Sequence, residues 1–288
     1  MLWVRQSTPL RRAAPTSDAA RWLREQVRRY AIPRHAGAEE RANRHTADRL
    51  AQQLESMGYA VQEQGPHRNV VALPRDAGHH PLTLVCAHYD SVPRSPGADD
   101  NASALAVMLG VARTRPARTA FVAFNREEDG MVGSTDFVAW LGRAGAPVFD
   151  RVHVLEMVGY SDPRPGTQRL PPAIPRFLLP RDTGDFIAFV GDRSSRAFVR
   201  RCIGLFRDQR VLPSEGIAAP SSIPGISWSD HWSYSRAGYP AVMVTDTAPF
   251  RNPNYHEPTD TADTLDYERM ARLATGLEEV VWELARGD

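Results

Sequence analysis

The feature that most constrains this chain is a regular alternation of short apolar, β-branched runs with longer amphipathic stretches. Six runs stand out: VVAL (70–73), LTLVCAH (82–88), RTAFVAFN (118–125), VHVLEMV (152–158), DFIAFVG (185–191) and AVMVTD (241–246). Runs this short and this uniformly apolar suit strands covered on both faces. Around them, residues 17–30, 38–57, 101–114, 134–143, 194–208, 229–237 and 266–286 read as helices. The first opens on a Ser or Asp cap and the second stops at Gly58. The alternation implies an α/β fold of three layers, a mixed, mostly parallel central sheet sandwiched between helices. No repeat or linker divides the sequence, so residues 1–288 read as one domain with a frayed start at 1–16. Two Pro-rich segments, 161–184 and 209–228, have no periodicity and are expected to be rim loops beside a site.

Composition narrows the chemistry by exclusion. A chain of 288 residues with 42% hydrophobic content can bury a sizeable core. The formal net charge of +1 gives no field that would select nucleic acid or an anionic membrane. All 35 Lys+Arg residues are arginine, which rules out Schiff-base and lysine-nucleophile mechanisms. Two cysteines, Cys86 and Cys202, are too few for a disulfide scaffold or a Cys-rich zinc module. Cys86 lies within an apolar run and reads as a small buried hydrophobe. The opening MLWVRQSTPLRRAAP has no apolar stretch of signal-peptide length, and no segment approaches a membrane span. The expected compartment is the cytoplasm.

In an open α/β sheet, ligands gather beyond the carboxyl ends of the strands. The polar residues that follow each run are therefore the informative ones. LTLVCA ends in His88-Tyr89-Asp90-Ser91, TAFVAFN in Arg126-Glu127-Glu128-Asp129-Gly130, and HVL in Glu156; AVMVTD is followed after a turn by Tyr255-His256-Glu257. Between the first two, Gly97-Ala98-Asp99-Asp100-Asn101-Ala102-Ser103 opens a helix. Singly these are weak signals. His88 with Asp90 reads as an ordinary strand-end pair, Asp99 or Asp100 as a helix cap, and Glu127-Glu128 as two solvated carboxylates. Glu156 is stronger, because a carboxylate in a buried strand is costly unless paired or metal-bound. Two imidazoles and four or five carboxylates at one sheet edge together suit zinc, which takes nitrogen and oxygen ligands readily.

The runs HYDS…GADDNAS, NREEDGMVGS, LEMVGY, SDHWSY and YHEPTDT resemble the di-zinc exopeptidase family that holds the bacterial leucyl aminopeptidases, aminopeptidase Y and glutamate carboxypeptidase II, peptidase family M28. The resemblance runs in order through residues 35–288, and within them no stretch is expected to correspond to the additional domains of larger members. It implies two zinc ions: His88 and Glu156 on the first, Asp100 bridging, Glu128 and His256 on the second. Glu156 stands where most members carry Asp. The resemblance further implies Glu127 as general base, Tyr255 as a hydrogen-bond donor to the oxyanion, and a cis peptide after Asp100. Asp90 would fix the tautomer of His88 from behind, and Asp230 and His231 would have supporting roles.

The function so implied is an aminopeptidase-type exopeptidase acting on peptides with a free N-terminus. Glu127 takes a proton from a metal-activated water, and Glu127 and Glu156 receive the substrate ammonium. Two alternatives remain at this point: a glutaminyl-cyclase-like enzyme with one zinc, and a non-catalytic member acting as an interaction module. Trp228, Trp232, Tyr234 and Phe250 are candidates for an apolar side-chain pocket, with core packing favoured for at least two of them. Arg251 reads equally as a contact for a substrate carboxylate or as a loop salt bridge. His35, His45, His67, His79, His80 and His153 have no ligand spacing.

Overall fold

The computed structural model describes residues 2–4, 18–76, 80–170 and 181–286, residues 2–4 by backbone alone. Among the described residues, nine strands form one sheet: β1 (Leu2–Val4), β2 (Ala60–Gln64), β3 (Asn69–Leu73), β4 (Leu82–His88), β5 (Thr119–Phe124), β6 (Phe149–Glu156), β7 (Ile187–Asp192), β8 (Ser214–Ala219) and β9 (Ala241–Thr245). Their spatial order is β1-β8-β7-β9-β6-β4-β5-β3-β2. The centre, β5-β4-β6-β9, is parallel, as is β7 with β8. The pairs β7/β9, β3/β5, β2/β3 and β1/β8 are antiparallel. The sheet is thus mixed as expected, with its parallel strands concentrated in the middle. All seven residues of β4 and all six of β5 are buried, which is why their sequences show no polar alternation.

The described α-helices that cover the sheet are α1 (Asp18–Tyr30), α2 (Glu40–Ser56), α3 (Ala104–Arg113), α4 (Val132–Leu141), α5 (Arg196–Gln209), α6 (His231–Arg236) and α7 (Tyr267–Arg286). In α7 the buried Met270, Leu273, Leu277, Val280, Val281 and Leu284 fall three or four apart and make one apolar stripe. The main core joins α1, α2, α3, α5 and α7 to one sheet face through residues such as Leu23, Leu50, Met108, Phe206, Val85, Phe121 and Phe189. On the opposite face α4 and α6 cover the middle of the sheet, where Phe137 and Tyr234 pack on Cys86, Phe124 and Val154. Further out on that face, Ala188, Val190, Ile217 and Met243 meet Ile226, Leu170 and Ile223, which come from loops.

Three strands depart from the sequence reading. β8 lies inside 209–228, so that segment is a strand followed by a loop, not a loop throughout. β2 corresponds to no apolar run, and β1 pairs Leu2–Val4 with β8 within the stretch expected to be frayed. Of the other expected rim loop, 161–184, residues 171–180 lie outside the described residues, as do 5–17 near the N-terminus. The helix expected from 101 begins only at Ala104, because Ala98–Ser103 forms a wide, kinked turn with non-helical dihedrals at Asp100 and Asn101.

Candidate metal centre

Because β5, β4, β6 and β9 run in parallel, their carboxyl ends share one edge. His88 is the last residue of β4, Glu156 the last of β6, and Glu127 and Glu128 follow β5 by three and four residues. The turn that carries Asp100 starts from Gly97, whose φ of +56° is one a side chain rarely adopts; a Cβ there would lie 2.1 Å from the Asp100 carbonyl oxygen. The Asp100–Asn101 peptide is cis, as the resemblance implied.

Two overlapping clusters result. In the first, His88 Nε2 lies 3.2 Å from Asp100 Oδ1 and 3.5 Å from Glu156 Oε2. In the second, His256 Nε2 lies 3.2 Å from Asp100 Oδ2 and 3.2 Å from Glu128 Oε2. Each cluster presents three ligand-capable atoms within 4.8 Å of one another, and Asp100 belongs to both, one oxygen to each. Glu156 thus reaches the first cluster even with its longer stem. The residues fit divalent cations on two further observations. Both nitrogens of His88 and Oε1 of Glu128 are buried without a hydrogen-bond partner, which a folded protein ordinarily avoids. The negative charge is also in excess, with Asp90, Asp100, Glu127, Glu128, Glu156 and Asp230 gathered around two imidazoles.

The electrostatics follow from that crowding. Burial raises the Glu127 carboxyl well above its usual range, and the Glu156 and Asp230 carboxylates add to the rise against the pull of His88. Glu128 is pushed up to about 7, by burial first and then by Asp100. His256 rises to about 10, because its hydrogen bonds to Asp100 and Glu128 outweigh the opposing effect of burial. Asp100 goes the other way: burial would raise it, but the two imidazoles hold it below the usual carboxylate range.

Behind the clusters, Asp90 is fully buried. One oxygen lies 3.4 Å from His88 Nδ1, and the two oxygens accept the backbone N–H groups of Glu127 and Glu128 at 3.2 Å each. It therefore fixes the two-carboxylate segment by its backbone and sets a negative charge beside the His88 ring. Asp230 joins the buried acidic group, and burial lifts it to about 7. His231 does not join it. Its Nε2 pairs with the carbonyl of Ile226 at 2.7 Å, and burial lowers it to about 4, which makes it a buttress of the loop below the site. Two residues that the sequence reading passed over also hold Glu156. Ser229 Oγ donates to Glu156 Oε2 at 2.8 Å, and Asn101 lies across β6, donating to the Leu155 carbonyl while accepting from the Met157 N–H. Ser229 opens the SDH run, but a serine beside Asp and His carries no metal-ligand signal of its own.

A cavity opens beside the first cluster, with Glu156 and Tyr255 on its wall. Its floor is a row of register neighbours on one sheet face, Glu156–Thr245–Ala188–Glu215, and Phe186, Val190, Ile217 and Met243 make it largely apolar. Trp228 and Phe250 stack at 5.9 Å and line it. Tyr234 belongs to the core under α6, and Trp232 is not part of the lining. The Tyr255 ring stacks on His256 at 3.7 Å. Arg251 serves neither of its expected uses: it is buried, donates to Gln168 Oε1 and the Phe186 carbonyl, and lies over the Phe186 ring. It ties the loop at Gln168 to β7.

The family model of Peptidase family M28 matches residues 69–281. The protein YfbL of Escherichia coli (strain K12) is 35% identical over 96% of this chain and 90% of its own length. Leucine aminopeptidase 1 of Arthroderma otae is 26% identical over 93% of this chain and 68% of its own. The glutaminyl cyclase of Porphyromonas gingivalis has the same fold, with a TM-score of 0.70 at 19% identity over 93% of this chain and all of that one.

Proposed function

The chain belongs to peptidase family M28, and from that footing we propose that it is an aminopeptidase that removes residues from peptides with a free N-terminus by way of two divalent ions, zinc by preference. One observation carries this reading: a single carboxylate, Asp100, lends one oxygen to each of two three-residue clusters. His88 and Glu156 would complete the first position, Glu128 and His256 the second. When bound, such a pair supplies a water of lowered pKa and a Lewis acid for the carbonyl oxygen.

The rest falls to the chain's own groups. Glu127 takes the proton of the attacking water and passes it to the departing amine, and its burial-raised pKa matches a group that must hold a proton between those events. The Tyr255 hydroxyl donates to the oxyanion. The Glu127 and Glu156 carboxylates receive the substrate ammonium, and the apolar cavity takes the first side chain. The Porphyromonas cyclase keeps a second reading alive, in which the same fold carries one ion and closes an N-terminal glutamine. The deciding experiment is metal analysis alongside turnover of aminoacyl anilides and glutaminyl peptides. Two ions per chain and anilide hydrolysis are expected. Glu127→Gln should lower kcat by roughly 10²–10⁴-fold with metal content unchanged. One ion with pyroglutamate formation would replace the first reading by the second.

A further inference from the structure

Asp260 is fully buried, lies four residues after His256, and turns both of its carboxylate oxygens onto the backbone of the turn that carries Asp100. Oδ1 accepts the N–H of Asp99 at 2.9 Å and Oδ2 the N–H of Asp100 at 3.0 Å, while its own carbonyl accepts the N–H of Ala98 at 3.2 Å. Three consecutive N–H groups at the opening of a helical segment would ordinarily look to the preceding residue for a cap. Here that residue is Gly97, which has no side chain to offer, and the acceptors come from 160 residues further along the chain.

Asp260 also closes the turn that presents His256. Its N–H donates to the Glu257 carbonyl at 3.0 Å, and that carbonyl accepts Ser95 Oγ at 3.0 Å. His256 sits in the left-handed region at φ +62°, a conformation that a non-glycine residue keeps only when its surroundings hold it there. Arg34 braces the far side of the Asp100 turn, donating to the carbonyls of Tyr89, Pro96 and Gly97. One carboxylate therefore fixes, relative to each other, the two backbone segments that bring Asp100 Oδ2 within 3.2 Å of His256 Nε2.

We propose that Asp260 is a positioning residue for the second metal position, holding the Asp100 turn in register with the His256 loop. The role rests on the reading of Asp100 as the shared ligand. It needs a carboxylate, because two N–H groups on adjacent residues need two acceptors. Asparagine would turn its own amide hydrogens on one of them, and glutamate would overshoot.

The test compares the full-length wild type with Asp260→Ala and Asp260→Asn. Zinc affinity is read by competition with a chromogenic chelator, and thermal melting is followed on the metal-free proteins. Both variants should bind the first zinc as the wild type does and the second about 10–100-fold more weakly. Excess zinc should restore much of kcat with KM for an aminoacyl anilide unchanged. A merely structural role gives a different pattern, a lower melting temperature without metal and two ions at wild-type affinity, and that result overturns the proposal. If Asp260→Ala does not fold, the near-isosteric Asp260→Asn decides, and wild-type affinity for the second zinc there overturns it equally. A wild type that takes up no zinc would remove the metal centre itself, and this role with it.

Discussion

Glu127 and Glu128 are neighbours in sequence with different tasks, and Asp90 is what separates them. By binding both of their N–H groups it fixes the backbone from which one side chain meets His256 while the other stays out of either cluster. A loss at the second position should therefore be selective. His256→Ala should retain one ion near His88, whereas Asp100→Ala should retain neither; metal counts after dialysis decide, and equal losses would contradict the shared-carboxylate geometry. Away from the site, burial holds His153 neutral down to about pH 4, with Cys202 Sγ 3.4 Å from its Nε2. The unfolded chain protonates this residue near pH 6.5. Its contribution to stability is thus complete above that pH and fades as pH falls towards 4, by about 2 kcal/mol at pH 5. The urea stability of metal-free His153→Leu relative to wild type should rise by that amount between pH 7 and pH 5. A difference that stays constant would show that the folded imidazole takes up its proton as the unfolded one does. The metal-binding candidates were legible because strand ends announce them and the YHEPTDT and GADDNAS runs are distinctive. Asp260 was not, because an Asp in a turn says nothing about backbone N–H groups so distant in sequence.

At the scale of elements, the runs that became β3, β4, β5, β6, β7 and β9 were readable because burial on both faces keeps most of their residues apolar and leaves no regular polar alternation. β8 was not. Its SEGIAA contains a charge and a glycine, no β-branched run, and a proline on either side; it is a strand because β7 supplies six register partners. β2 is a mostly exposed edge strand whose polar composition resembles a loop. β7 and β8 make the outer floor of the cavity, so substitution there should alter choice of substrate and leave the chemistry intact. Ala188, between Thr245 and Glu215 in the floor row, is the position to fill. Ala188→Phe should lower kcat/KM for leucyl or phenylalanyl anilides by 10-fold or more and that for alanyl anilide far less, with metal content unchanged. A uniform fall across the series would place the side-chain pocket elsewhere.

For the molecule as a whole, the clusters draw on the ends of β4, β5 and β6, the Asp100 turn and the loop before α7, so one bound pair fastens segments from residue 88 to residue 256. Each ion that binds the folded chain alone stabilises it by about 2.7 kcal/mol at a hundredfold excess over its Kd. Chelation should lower the melting temperature by several degrees, with far-UV circular dichroism of the cooled protein unchanged; a melt indifferent to chelator would mean that the segments are held without ions. The two faces of the sheet are not finished alike. One is sealed by five helices, and the other, beyond α4 and α6, is roofed over β7, β8 and β9 by loop residues such as Leu170, Ile223 and Ile226. A roof of loops can be lengthened, shortened or rewritten without disturbing a helix interface, and none of the ligand residues hangs from it. With the cavity taking the first side chain of the substrate as proposed, that roof could be rewritten to admit a different side chain while the ligand-capable residues at the strand ends stayed where they are.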